Sequence, residues 1–214
     1  MVCRFCGGEC VRNGRQSNGK QRFQCKCCHK KQQEEYSYQA YAPQVNQYII
    51  CHLKEGVGIR SLARLLQIST TILLRILDIS HSITAPHITA NSIYEVDEIR
   101  TFVSRKSDLI WIAYALDRND KSVAAFSVGP KTNKTLNRVL DKLHNAQRIY
   151  TDRLKNYRYL IDKSVHRTSL YGTNHIERNN LTLRTHLKRL TRRTICFSRK
   201  VSMLFAVLKI YFWG

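Results

Sequence analysis

Two Cys-x-x-Cys pairs, Cys3-Arg4-Phe5-Cys6 and Cys25-Lys26-Cys27-Cys28, stand 18 residues apart at the start of this 214-residue chain. Each pair turns tightly enough to aim two sulfurs at one ion, and two pairs complete a tetrahedron. That is the ligand arrangement of a structural zinc site. The spacing selects Cys3, Cys6, Cys25 and Cys28 as ligands, with Cys10, Cys27 and His29 as alternates. A disulfide framework competes, but clustered cysteines in a reducing compartment hold metal, and Cys3, Arg4 and Cys6 occupy the place where a signal peptide needs an apolar run. Asn13-Gly14 and Asn18-Gly19 are turn signals, and residues 21–24 suit a short strand. So small a ribbon, residues 1–35, cannot bury enough apolar surface alone, so the metal supplies its folding energy. Cys51 and Cys196 read as core thiols.

Behind the ribbon, residues 36–80 carry helical patterns. Val45, Tyr48, Ile49 and either His52 or Leu53 recur at helical spacing, and Gly56-Val57-Gly58 closes that helix. Ile59, Leu62, Ala63 and Leu66 share a face of a second helix. Gln67-Ile68 makes a turn, and Ser69 is placed to cap a third helix ending near Asp78. Helix, tight turn, helix is the helix-turn-helix pattern, although a plain small bundle has the same periodicity. If it reads DNA, the third helix enters the major groove and Thr70, Thr71 and Arg75 face bases or phosphates. Residues 81–91, with Pro86 and several Ser and Thr, read as a linker.

From residue 92 the pattern turns to strands. Residues 93–103, 109–116 and 123–128 are rich in β-formers and joined closely enough for an antiparallel meander. A helix over 132–145, a strand over 148–151 and a helical C-terminus with Ile176, Leu183, Leu187 and Leu190 in a stripe complete the chain. This order is that of a ribonuclease H-like domain over 92–214, an α/β or α+β arrangement with a mixed sheet flanked by helices. It puts Asp97 in the first strand, Asp152 directly after the fourth, and Glu177 near the start of a long helix. Three such acids, if they converge, form a hard oxygen site for two Mg²⁺ (or Mn²⁺) ions, the apparatus of in-line phosphoryl transfer. Taken singly, each reads more readily as an ordinary strand-edge or helix-terminus charge.

Charge points to the partner. The chain carries a formal +21, and residues 151–214 hold 14 basic residues against 3 acidic, a net of +11. So large a positive field suits nucleic acid. The longest apolar stretch, residues 201–213, is too short to span a bilayer and contains Lys209. The expectation is an intracellular protein off the membrane.

The run His175-Ile176-Glu177-Arg178-Asn179-Asn180-Leu181-Thr182-Leu183-Arg184-Thr185-His186-Leu187-Lys188-Arg189-Leu190, with Val96-Asp97-Glu98 and Tyr150-Thr151-Asp152, resembles the signature of the insertion-sequence-1 family of bacterial transposases. Val11-Arg12-Asn13-Gly14, the paired knuckles and Gly56-Val57-Gly58 resemble its N-terminal region, so the likeness runs over nearly the whole chain. The resemblance implies a zinc ribbon and helix-turn-helix joined to an Asp-Asp-Glu catalytic domain, with Asp97, Asp152 and Glu177 as the Mg²⁺-binding triad. It also implies that Arg178, Arg184, Arg189, Arg192 and Arg193 hold phosphates of double-stranded DNA, namely element terminal inverted repeats and target. It further implies a homo-oligomer, at least a dimer when active, in a bacterial or archaeal cytoplasm in association with the nucleoid. This chain departs from the family's usual residues at Arg100 and at Arg153-Leu154. Two other readings stay open at this level: a zinc-dependent DNA-binding regulator, inactive or domesticated, and a ribonuclease H-like nuclease that cleaves without joining.

Overall fold

In a computed structural model the chain is described throughout, except residues 36, 37, 72, 73, 170 and 192 and the side chain of Tyr41. It divides into two compact units, Met1–Val45 and Asn46–Gly214.

The first unit is a three-stranded antiparallel sheet in the order β1 (Cys10–Arg15), β2 (Gln21–Cys25), β3 (Lys31–Gln33). Its core is small: Cys3, Cys10 and Cys25 are buried, with Phe23 and Cys28 packed against them. Buried Gln32 ties down the N-terminus, accepting from the Arg4 amide at 3.0 Å and donating to the Val2 carbonyl at 2.9 Å. The two Asn-Gly signals part company here. Asn18-Gly19 forms the hairpin turn, with Gly19 at φ +79 and its amide bonded to the Gln16 carbonyl. Asn13-Gly14 instead lies inside β1, where the register slips between Arg12 and Arg15 as a bulge. Left-handed backbone serves a bulge as well as a turn, so the dipeptide alone cannot choose between them.

Apart from Val45, the last residue of the first unit, helix α1 (Val45–Lys54) opens the second unit and is followed by α2 (Ile59–Leu65) and α3 (Arg75–Ser82). Gly56, at φ +73, ends α1 with the Val57 amide bonded to the His52 carbonyl, the paired closure that favours glycine. A methyl group there would come within 2.2 Å of the His186 carbonyl oxygen. Gly56→Ala should therefore lower unfolding stability by about 2–3 kcal/mol, read as a fall in the thermal midpoint, because neither the dihedral nor that backbone oxygen yields cheaply. Gln67, at φ +51, makes the turn after α2. The third helix begins later than the sequence suggests and runs on to Ser82. Ser69 Oγ accepts the Thr71 amide at 3.1 Å and closes a local turn, leaving Ile76, Ile79 and Ser80 as the buried face of α3. Positions 72 and 73 of the expected helix lie outside the described residues. Cys51 and Cys196 are both exposed and not core thiols. Cys51 falls between the buried Ile49 and Leu53, on the outer side of α1, and Cys196 lies in an irregular segment.

A five-stranded mixed sheet follows, in the order β6-β5-β4-β7-β8. Strands β4 (Ile93–Phe102), β5 (Leu109–Asp117) and β6 (Val123–Gly129) form the antiparallel meander, and β7 (Arg148–Thr151) and β8 (His166–Arg167) lie parallel to β4. The crossover from β6 to β7 passes through α4 (Asn133–Leu140), and α5 (Tyr157–Leu160) precedes β8. Antiparallel meander, then parallel strands added on the far side of the first, is the ribonuclease H-like arrangement.

Alternation along β4 separates the two faces. Tyr94 and Val96 join Ala113, Leu136, Val139 and Tyr157 in the core under α4. The opposite face is covered by α6 (Asn174–His186) and α7 (Val201–Trp213). Helix α7 is apolar nearly all round because it is sandwiched between α3 and β6. The Phe126 ring lies 4.8 Å from Phe205 and 5.0 Å from Trp213. Among the described residues, no helix is long and apolar enough to cross a membrane. The expected stripe is buried, but helix α6 stops at His186; Leu187 and Leu190 are buried from a 3-10 turn beyond it.

Candidate active site and metal centre

Residue 97 reaches the α6 face of the sheet because β4 alternates, whereas its neighbour Glu98 points to the α4 face and accepts a hydrogen bond from the Tyr157 hydroxyl. The parallel pairing of Val96 with Thr151 brings the end of β7 alongside Asp97, so Asp152, the next residue, emerges beside it. Helix α6 packs on β4 and supplies Glu177 from its first turn. The Thr173 hydroxyl donates to Glu177 Oε1 at 2.7 Å, the Leu154 amide to Asp152 Oδ1 at 3.0 Å, and the Glu98 amide to Asp97 Oδ1 at 2.7 Å. Burial pushes the Asp97 carboxyl up to about 6, against the pull of the Glu98 amide and Asn180, and the charges of Asp152 and Glu177 push the same way. The charges of Asp152 and Glu177 thus reach Asp97 on the α6 face of the sheet, although among the described residues the one group of acid, cysteine and histidine ligand atoms lying within 4.8 Å of one another is a cysteine quartet in the first unit. Hard, oxygen-only donors with surplus negative charge fit a divalent cation such as Mg²⁺.

What fixes α6 above β4 escaped sequence reasoning. Glu95, fully buried two residues before Asp97 on the same face, accepts from His175 Nδ1 at 2.6 Å, the Ile176 amide at 2.9 Å and Arg118 Nε at 2.7 Å. Burial pushes its carboxyl up, but these three partners outweigh it and hold the group below the usual carboxylate range. Arg118 also stacks over the Tyr150 ring, 4.4 Å from its centroid. A glutamate amid the apolar residues of a central strand was the available signal, since a charge is not buried unless it is paired. Asp117, at the end of β5, is taken up by the turn that follows, accepting from Ser92 Oγ at 2.7 Å and the Asn119 amide at 2.8 Å.

In the first unit the ligand sulfurs of Cys3, Cys6, Cys25 and Cys28 all lie within 4.8 Å of one another. Cys3 and Cys28 are 3.6 Å apart and Cys6 and Cys25 3.4 Å. A tetrahedron with zinc–sulfur bonds of about 2.3 Å has edges of roughly 3.8 Å, so the quartet fits zinc closely. The amides of Cys28 and Cys27 draw the Cys25 thiol down to about 6 against the effect of burial. Cys6, despite the Gly8 amide, is pushed up to about 12 by Cys25 and Cys28. Four thiols cannot all ionise together without a cation to share, and a divalent ion removes that conflict. Cys10 is buried beside them, and desolvation followed by the charges of Cys3 and Cys25 pushes it up to about 11, which suits a core thiol. Cys27 and His29 are exposed and outside the quartet.

The expected DNA contacts divide. Thr70 and Thr71 are exposed in the turn before α3, and Arg75 is half-buried at its first position, donating to Asn46 Oδ1 at 3.4 Å. Arg178 and Arg193 are exposed. Arg184 donates to the Leu190 carbonyl at 3.0 Å and Arg189 to Ser198 Oγ at 2.7 Å, so in this conformation both brace the segment after α6. Arg192 lies outside the described residues.

A family profile described as IS1 transposase matches residues 91–212. The insertion element iso-IS1n protein InsB of Shigella dysenteriae is 41% identical over 113 residues, which are 52% of this chain and 86% of that protein. The insertion element IS1 protein InsB of Shigella flexneri is 37% identical over 111 residues, 51% of this chain and 85% of its own. Among solved structures, the HTLV-2 integrase catalytic core domain in complex with magnesium aligns with a TM-score of 0.39 at 18% identity, over 59% of this chain and 86% of that one.

Proposed function

The chain belongs to the IS1 transposase family, a family of Asp-Asp-Glu enzymes, and from that premise we propose that Asp97, Asp152 and Glu177 hold the divalent cations with which it cuts and joins DNA. The observation that supports this reading is the placement of the three acids on β4, just past β7 and in the first turn of α6, where the charges of Asp152 and Glu177 act on Asp97. When bound, two Mg²⁺ or Mn²⁺ ions stabilise the attacking and leaving oxygens of an in-line phosphoryl displacement. The chain's own part is positioning. Each carboxylate accepts a hydrogen bond that fixes its rotamer and keeps further lone pairs for a cation. Water attacks the phosphodiester at each element end and frees a 3′-hydroxyl, which then attacks target DNA and expels a target 3′-oxygen. Pairing two ends calls for at least two copies of the chain. Nothing in the geometry favours cleavage without joining.

Residues 1–35, with zinc on Cys3, Cys6, Cys25 and Cys28, and the helix-turn-helix of residues 36–80 supply DNA binding in this reading. Residues 81–91 connect them to the catalytic domain of 92–214. Thr70, Thr71 and Arg75 face DNA from the helix-turn-helix, and Arg178 and Arg193 hold phosphates beside the triad, supported by their exposure. Arg178→Ala should weaken binding uniformly across sequences and reduce the slope of log affinity against log salt by about 1, as loss of one phosphate contact requires. Working on its own element, the enzyme acts in the cytoplasm on the nucleoid. The test is a labelled duplex bearing the element's ends, incubated with protein and Mg²⁺ or Mn²⁺. Nicking followed by strand joining supports the transposase, and tight binding without chemistry would replace it with the DNA-binding regulator.

A further inference from the structure

Asp97 is tied to a second residue that the triad does not include. On the α6 face of the sheet its cross-strand partner is Tyr114 of β5. One side chain of α6, Asn180, spans the pair: its Nδ2 donates to Asp97 Oδ2 at 2.6 Å, and its Oδ1 accepts from the Tyr114 hydroxyl at 2.7 Å. The Tyr114 hydroxyl is held in turn, accepting from Asn179 Nδ2 at 3.3 Å and lying 3.2 Å from the Ile176 carbonyl. The tyrosine ring is fully buried and stacked on Phe212 of α7, with centroids 6.0 Å apart, so the hydroxyl sits on a rigid support.

The chemistry of these groups makes the chain directional. An asparagine amide has a donor end and an acceptor end of nearly equal size, and packing alone cannot choose between them. A carboxylate only accepts. A tyrosine hydroxyl facing Asn180 Oδ1 donates. Asp97 therefore takes Nδ2 and leaves Oδ1 for the Tyr114 hydroxyl, which anchors the far end of the amide. Without that hydroxyl the amide is held at its Asp97 end alone and loses its fixed place between β4 and α6.

We infer that Tyr114 and Asn180 are positioning residues for the catalytic site: the Tyr114 hydroxyl anchors the Asn180 amide through its Oδ1, and Asn180 in turn aims Asp97 at the cation. This inference rests on the metal-binding role proposed for Asp97. It differs from a simple core role because it predicts an order of action: Tyr114 works only through Asn180.

Mn²⁺ binding to the full-length, zinc-loaded protein, followed by the paramagnetic resonance of free Mn²⁺, reads this without DNA or turnover. Asp97→Asn should weaken binding by about 10-fold or more, and Asn180→Ala by roughly 10- to 100-fold, the range seen when a group that orients a metal ligand is removed. Tyr114→Phe keeps the ring and its stack, and should weaken binding several-fold, on the order of 3 to 10. The double variant should bind no more weakly than Asn180→Ala alone. In cleavage assays the Mg²⁺ concentration for half-maximal rate should rise by the same factors while KM for DNA stays put. Wild-type Mn²⁺ affinity in Tyr114→Phe, or effects of the two substitutions that multiply in the double variant, would overturn the inference. If Asn180→Ala does not fold, Asn180→Leu, close in volume and without a donor, carries the same expectation. Unchanged Mn²⁺ binding in Asp97→Asn would instead remove the metal-site reading itself, and the inference with it.

Discussion

Asp97→Asn, Asp152→Asn and Glu177→Gln should each slow strand cleavage and joining by about 10³-fold or more, while binding to element ends stays within a few-fold of wild type. Each swap keeps side-chain volume and removes one anionic donor, so the loss falls on cation binding and transition-state charge. Asp97 has a second signature. Its carboxyl stands at about 6, above the ordinary aspartate value, chiefly through burial, with Asp152 and Glu177 adding to it. The metal-free native state therefore holds a proton that the unfolded chain has lost between about pH 4 and pH 6. Stability of the metal-free protein is highest below that window and falls as pH rises through it. Asp97→Asn should thus raise the stability of metal-free protein near pH 7 by about 1–3 kcal/mol, while abolishing catalysis. Mg²⁺ should stabilise the wild type and leave Asp97→Asn almost unmoved. Calorimetry from pH 4 to 8 with and without Mg²⁺ checks the pair; a variant that is inactive yet less stable than wild type would refute the charge-repulsion account.

Stripping zinc, or replacing Cys25 by Ser, should unfold Met1–Val45 and leave Asn46–Gly214 folded. Among the described residues, the cluster around the first unit's sheet is three buried cysteines with Phe23 and Cys28 against them, far less apolar surface than so short a chain needs. Structural zinc sites contribute about 10–16 kcal/mol of apparent binding energy at neutral pH, which exceeds any stability this core could hold by itself. Chelator should therefore release one zinc per chain, broaden the amide resonances of the first unit only, and open it to protease. Binding to element ends should fall with it. Persistence of the β1–β2 hairpin resonances after complete zinc loss would show that the sheet stands without the metal.

Much of this protein is legible in its residues. Strand alternation placed β4 to β7 within a residue or so, the glycine at 56 marked the end of α1, and paired cysteines at knuckle spacing named a quartet that the fold brings within 4.8 Å. These are consequences of dihedral preference, period and short-range turn geometry, which act over a few residues and are written locally. Other features were decided only by tertiary structure. Asp97 faces α6 and Glu98 does not because register and twist assign the faces of β4. Cys10, an alternate by spacing, is buried and lies outside the quartet although β1 pairs it with Cys25. Arg184 and Arg189 reach partners that a helical stripe cannot show, in a segment that leaves the helix at His186. Glu95 and Tyr114 matter through contacts 81 and 66 residues away in the chain. Such pairings depend on which surfaces meet after the sheet closes, and free energy gained across that distance leaves no periodic trace in the residues that supply it.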